Sequence, residues 1–296
     1  MHIVVTGGTG FIGGALLPAL LDRGDRVTVL TRQSRLQTAG SENLRYVTAL
    51  DAIEAPVDVV INLAGASLAA RRWTAAYKRE IRASRVDFTQ TLVAWMKSLD
   101  TPPAALISGS AIGYYGASLD ARFTESSAVA SDFAATLCRD WERAALSAQG
   151  DATRVVLLRL GVVMDAGGGA LTEMMRSFQF GVGSWLGSGR QWLSWIHRKD
   201  VIRVIVAALD AEITGPINVV APTPVTHRAF CGAVVRRRTT LFSAGVPGFV
   251  MRGLLGEMAD ALLLTGQWVE PERLQNEMAF TFSYPTIDDA LGDILG

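Results

Sequence analysis

Lysine is nearly absent from this chain. Only Lys78, Lys97 and Lys199 stand among its 28 basic residues, the rest being arginine, so few positions are open to chemistry that needs an ammonium group. Cysteine is scarcer still, with Cys138 and Cys231 far apart and no Cys-x-x-Cys or His-Cys spacing. That argues against a metal site or a redox pair and predicts two reduced, packed thiols. No apolar run reaches about 18 residues, and the first residues read as a strand rather than a charged and apolar leader. Neither a membrane span nor secretion is therefore predicted, and a cytoplasmic protein is. Basic and acidic residues balance at 28 each, which leaves no charge footprint for nucleic acid or an acidic membrane. The expected partner is a small molecule, and the oligomeric state stays open, a homodimer included.

What is present is apolar and glycine-rich. Hydrophobic residues make up 49% of the 296 positions and 29 are glycine, enough chain for one large or two modest domains. The strand-like start Ile3-Val4-Val5-Thr6 runs into Gly7-Gly8-Thr9-Gly10-Phe11-Ile12-Gly13 and then a helical pattern. This Gly-x-x-Gly-x-x-Gly turn suits a dinucleotide: Gly7 and Gly10 permit close backbone approach, Gly13 permits close packing of helix on strand, and the helix N-terminus offers N–H groups to a pyrophosphate. A second strand, Arg26–Leu30, completes the βαβ context that such a turn needs. Where NAD sites usually carry a carboxylate, that strand ends in Leu30-Thr31-Arg32-Gln33-Ser34-Arg35. Arg32, helped by Arg35, suggests the 2′-phosphate of NADP, with NAD the weaker choice; the alternative is a pair of solvated loop arginines.

Strand and helix patterns alternate through the first half, predicting an α/β fold with a doubly wound parallel sheet of Rossmann type. Strands are expected at Val57–Leu63, Ala104–Ser108 and Arg154–Leu160, and helices from about Thr74 to Leu99 and from Ser131, as a possible N-cap, to Ala148. After Gly161 come glycine-rich loops with tryptophans, Gly181 to Gly189, a short strand Pro216–Val220, and helices near Thr226–Arg237, Pro247–Leu264 and up to Leu295. The expected division is a cofactor domain over 1–165, returning near 190–225, and a smaller substrate-side region over 166–296 with a helical segment at about 245–296.

The motifs Thr6 to Gly13, Asn62-Leu63-Ala64-Gly65, Ser108 to Gly116, Arg159-Leu160-Gly161-Val162-Val163 and Trp195 to Asp200 resemble the extended short-chain dehydrogenase/reductases, among them nucleotide-sugar epimerases and dehydratases. Arg72-Trp73-Thr74 with Lys78, Ser84-Arg85, Trp141-Glu142, Ala221 to Thr226, Gly256-Glu257-Met258-Ala259 and Phe280 to Pro285 are similar to an atypical, SulA-like epimerase-family subgroup with a C-terminal domain of unknown function. Asn276-Glu277-Met278-Ala279 departs from the glycine usual there. The resemblance implies that Leu63, Ala64 and Gly65 admit the cofactor, and that Ser110, with Ser108 as fallback, meets a substrate oxygen. It also implies a Tyr-x-x-x-Lys pair for proton transfer, and this chain has none: the matching positions hold Ala134 and Cys138. Tyr115 or Tyr114, with charge from Lys78 or Arg85, is the conceivable substitute. Trp73, Lys78, Arg85 and His197 are the substrate-side candidates, although for His197 a structural pairing with the nearby Asp200 is the favoured reading. Trp185, Trp192 and Trp195 are expected either as an aromatic lid or as cover for a small core. Two functions follow: an NADP-dependent oxidoreductase or epimerase-like enzyme on a hydroxyl or carbonyl substrate, or an NADP-binding regulatory or scaffold protein that has lost the chemistry.

Overall fold

Seven parallel strands form the centre of the computed structural model, which describes residues 1–175, 178 and 181–296. They are β1 (His2–Thr6), β2 (Arg26–Leu30), β3 (Leu44–Val47), β4 (Val59–Asn62), β5 (Ala105–Ala111), β6 (Arg154–Leu160) and β7 (Gly215–Val219), in the order β3-β2-β1-β4-β5-β6-β7. All six pairings are parallel. The chain winds outward one way from β1 and then the other way from β4, so a crevice opens at the carboxyl ends of these two strands.

Strand periodicity explains the layers. Ile3 and Val5 of β1 join Leu16 and Leu20 of helix α1 (Gly13–Asp22) in one core, whereas Val4 faces Leu92 and Met96 on the other side. Both faces are covered, so the strands are apolar at nearly every position. The second face is covered by α3 (Phe88–Ser98) and α4 (Phe133–Leu146), with α2 (Ala75–Arg82) packed against α4. After the small helix α5 (Gly169–Met174), α6 (Arg198–Asp210) returns to the first face, with Val201 and Ile205 in the same core as Leu16. The expected α/β parallel-sheet fold is the one observed.

Several local expectations need correction. The helix from Thr74 to Leu99 is one rod capped by the Thr74 side chain, but a π turn at Ala83–Asp87 interrupts its register. Asp132, not Ser131, caps α4, accepting a hydrogen bond from the Ala135 amide at 2.9 Å. The glycine-rich stretch 181–189 contains the strand Val182–Leu186, which pairs in parallel with Phe242–Val246 about sixty residues later. The helix expected over Pro247–Leu264 breaks at Gly256, where φ is +62°, into Gly248–Leu255 and Glu257–Ala259. Of the three tryptophans, two cover one small core: Trp195 is wholly buried with Phe230 and Leu291, and Trp185 packs against the same cluster beneath Arg228, whereas Trp192 stands edge-on to Trp268 at 4.5 Å. Ala279, where the resemblance expects glycine, takes φ +46°, a strained value for a residue with a Cβ.

Strand β7 belongs to the central sheet, and Trp268–Val269 pairs with Arg122–Phe123. Residues 176, 177, 179 and 180 of the expected 166–296 region lie outside the described residues. Among the described residues no helix is long and apolar enough to cross a membrane, and no cluster of three metal-ligating side chains occurs.

Candidate functional site

The glycine turn sits where β1 feeds α1, and its glycines are required sterically. Gly7 has φ +71°, and a Cβ there would come within 2.6 Å of the Leu63 carbonyl carbon. A Cβ on Gly13 would collide with the Gly7 carbonyl oxygen and lie 2.6 Å from the Gly8 Cα. The close approach of the turn to the exit of β4 is thus built from residues without side chains. Beneath it Asn62, fully buried, joins three strands: its Oδ1 accepts from Thr6 Oγ at 2.7 Å, and its Nδ2 donates to Thr89 and Ser108. Thr9 accepts a long hydrogen bond from Gln33, which links the turn to the loop after β2. Arg32 in that loop is exposed and pairs with no carboxylate among the described residues, while Arg35 donates only to Gln33.

Leu63, Ala64 and Gly65 leave β4 beside the turn, and Arg85 meets them there. A Cβ on Gly65 would fall 3.0 Å from the Arg85 guanidinium carbon. Arg85 lies in the π turn, a feature frequent at functional sites because it redirects one side chain from a helix. Its guanidinium covers the Trp141 ring at 5.4 Å and no described carboxylate pairs with it. Burial works against its charge and lowers its pKa.

The tyrosine corner lies at the carboxyl ends of β5, β6 and β7. Arg159, near the end of β6, forms a two-oxygen ion pair with Glu142 of α4, each contact 2.8 Å, with both side chains almost wholly buried. Ser110 donates to the same carboxylate at 2.6 Å. Tyr115 accepts from Arg159 at 2.8 Å and donates to Asn218 Oδ1 at 2.6 Å. Burial pushes its pKa up to about 12. Arg159 also covers the face of the half-buried Tyr114 at 3.6 Å. Burial disfavours the Arg159 charge, but Glu142 outweighs that and raises its pKa. Glu125 accepts from the Asn218 and Arg273 amides, and burial raises its pKa as well.

Ala134 and Cys138, where a Tyr-Lys pair is expected, face Gly113 of the tyrosine loop at 3.5 and 3.8 Å from its would-be Cβ. Burial pushes the Cys138 thiol up to about 12, so it is no nucleophile near neutrality. Of the substrate-side candidates, Trp73 is buried against Phe133 and donates to the Leu68 carbonyl. Lys78 pairs with Glu257 at 2.5 Å rather than with either tyrosine. His197 is not held by Asp200, which instead accepts from the Ser283 and Tyr284 amides. His197 caps α6 through Nδ1, stacks on Tyr284 at 3.9 Å and has Asp293 3.3 Å from Nε2. Burial keeps its pKa below the usual imidazole range.

The site therefore brings together the glycine turn, the β4 exit, Arg85 and Trp141, with the tyrosine corner beyond. Sequence reasoning missed the central part of Arg159, Asn218 and Glu125 in that corner. The signal was available for one of them, since an arginine inside the apolar strand Arg154–Leu160 needs a buried partner.

Comparison with known proteins agrees with this geometry. The model of the NAD dependent epimerase/dehydratase family matches residues 3–220, and that of a domain of unknown function, DUF1731, matches residues 246–294. An epimerase family protein of Mycobacterium bovis is 39% identical over 98% of this chain and 96% of its own length. One from Staphylococcus aureus is 35% identical over 99% and 98%. Among solved structures, human epimerase family protein SDR39U1 (isoform 2) with NADPH is 34% identical, covers 100% of this chain and 99% of its own, and superposes with a TM-score of 0.87. The UDP-glucuronic acid 4-epimerase of Bacillus cereus, 18% identical at a TM-score of 0.78, shares the fold. Matched by the family model over residues 3–220 and by relatives along nearly its whole length, this chain belongs to the NAD dependent epimerase/dehydratase family.

Proposed function

We propose that this protein binds a nicotinamide dinucleotide at the β1/β4 switch point, NADP in preference to NAD, and uses it in oxidoreductase or epimerase-type chemistry on a hydroxyl or carbonyl compound, with nucleotide sugars the favoured class. The observation that carries the cofactor reading is the turn Gly7–Gly13 pressed against Leu63 and Ala64, where neither Gly7 nor Gly13 has room for a Cβ. In this reading Gly7, Thr9, Gly10, Phe11, Ile12 and Gly13 surround the pyrophosphate, and Arg32 with Arg35 holds the 2′-phosphate, because an exposed guanidinium without a carboxylate is free to take phosphate oxygens. Arg85, with no carboxylate partner among the described residues, supplies positive charge beside Gly65. The NADPH of the human relative supports the same cofactor.

Within the tyrosine corner, Tyr114 is the stronger candidate for proton handling. The hydroxyls of Ser110 and Tyr115 are already committed to Glu142, Arg159 and Asn218, whereas the Tyr114 hydroxyl makes no hydrogen bond among the described residues. The Arg159 guanidinium lies against its ring at 3.6 Å, so the one tyrosine hydroxyl of the corner outside the hydrogen-bond network sits beside a cation. The same commitments favour a second reading, a cofactor-binding regulatory or scaffold protein in which Ser110 and Tyr115 serve structure only.

Nicotinamide fluorescence titration of the purified protein with NADPH and NADH tests the first step. Tighter NADPH binding is expected; tighter NADH binding overturns the Arg32 assignment, and binding of neither overturns the function. Hydrogen isotope exchange at C4 of the bound nicotinamide, followed across a panel of nucleotide sugars and carbonyl compounds, separates the enzyme from the scaffold.

A further inference from the structure

A second small sheet delivers an ion pair onto the glycine turn. Val162–Met164 and Trp195–His197 pair in parallel, with Met164 opposite His197, so the next residues along, Asp165 and Arg198, emerge side by side. Arg198 Nε donates to Asp165 Oδ2 at 2.7 Å, and Asp165 Oδ1 accepts from the Ala166 amide at 2.6 Å. Arg198 is also the first residue of α6 and reaches back across the molecule to Phe11. Its Nη1 donates to the Phe11 carbonyl at 3.2 Å, and its guanidinium carbon lies 4.6 Å from the centre of the Phe11 ring. Gly168 and Gly169 lie against the same ring, and a Cβ on either would come within 2.7 Å of a ring carbon. At Gly169 the positive φ of +67° already asks for glycine. Gly168 is extended, a conformation open to any residue, so there the Phe11 ring alone excludes a side chain.

We infer that Asp165 and Arg198 are positioning residues for the phosphate-binding turn, and that through Phe11 they couple cofactor occupancy to the loop Asp165–Gly169 and to α5 behind it. The inference rests on the reading of the turn as a dinucleotide site. The peptide plane supplies the mechanism. Because the Phe11 carbonyl and the Ile12 N–H lie on opposite sides of one rigid trans peptide, fixing the carbonyl on Arg198 fixes the direction of the N–H at the start of α1. The Phe11 ring is in turn fixed by the loop, so a bound pyrophosphate that orders the turn orders the loop. The loop stabilises the bound turn to the same degree, since coupling between two sites is reciprocal.

Hydrogen–deuterium exchange of peptides spanning 165–175, with and without NADPH, tests the coupling in the full chain. In the parent protein NADPH is expected to slow exchange there. In Arg198→Met, which keeps a long apolar stem over the ring but removes the donor and the ion pair, the slowing is lost and the NADPH Kd rises about tenfold. Gly168→Ala is expected to weaken NADPH when Phe11 is present and to add little in a Phe11→Leu background, a cycle that serves equally should Arg198→Met fail to fold. A parent protein that does not bind NADPH overturns the reading of the turn and this inference with it. A parent that binds while the loop exchanges at one rate throughout, or Gly168→Ala and Phe11→Leu effects that simply add, overturns the clamp alone.

Discussion

The glycine turn and the tyrosine corner sit at the carboxyl edge of one sheet, yet they are built on opposite principles. The turn leaves its chemistry unspent: its glycines let the backbone of β1 close on the exit of β4, and Arg32 lies exposed with no carboxylate partner among the described residues. In the corner Ser110, Tyr115, Glu142, Arg159 and Asn218 satisfy one another in a buried network. A region that must bind keeps unpaired groups at its surface, and a region that must hold its shape pairs them inside. The contrast singles out Tyr114, which borders the network with no hydrogen bond into it among the described residues, as the tyrosine on which the proposed proton handling is to be tested.

Breaking the network is expected to have the largest effect. Glu142→Gln leaves the Arg159 charge buried and unpaired, which costs about 3–5 kcal/mol, measurable by urea unfolding; a loss under about 1 kcal/mol would mean that the corner is not the rigid region described. At the turn, Gly13→Ala is expected to weaken NADPH at least about a hundredfold, roughly 2.7 kcal/mol, since the new Cβ meets the Gly7 carbonyl; calorimetric titration reads it directly.

Acid stability checks that neither region governs the whole molecule. Burial holds His227, in the later core, down to about 4, below its ordinary value in the unfolded chain. The stability this gives is complete above about pH 6.5 and is lost as pH falls toward 4, up to about 3 kcal/mol. Denaturant midpoints at pH 7 and 4.5 should differ less in His227→Asn; an unchanged pH dependence would remove this assignment. Arg32→Ala is expected to cost NADPH about 1.5–3 kcal/mol while leaving NADH alone, and equal losses for both cofactors would end the NADP preference. The smallest effect on binding is expected from Tyr114→Phe. It should leave the NADPH Kd unchanged and abolish isotope exchange at the nicotinamide, whereas exchange at the parent rate would shift the case to the scaffold.

Much of the turn was legible in the sequence because its requirements are local. Gly10 and Gly13 answer to contacts within the turn and Gly7 to its positive φ, although the Leu63 backbone that also excludes a Cβ at Gly7 is distant in the chain, and β2 follows at the distance a βαβ unit demands. The missing Tyr-Lys pair was equally legible, since a spacing on one helix can be counted, and Ala134 and Cys138 do face the tyrosine loop. The partners of the candidate side chains were not legible. Lys78 finds Glu257 at a separation of 179 residues, His197 finds Asp293 instead of Asp200, and Arg198 finds Phe11 at a separation of 187. Nor does any local signal mark Val182–Leu186 as a strand, because its partner lies at Phe242–Val246.

By itself the sequence determined the parallel α/β sheet and the glycine turn, which follow from periodicity and spacing over one or two elements, and it lacks the proton-transfer pair that the family resemblance implies. Only the tertiary structure decided which hydroxyls and charges remain free. That depends on which side chains meet when β5, β6 and β7 lie side by side and the C-terminal segment folds back, and a buried group's reactivity is set by those partners rather than by its neighbours in the chain.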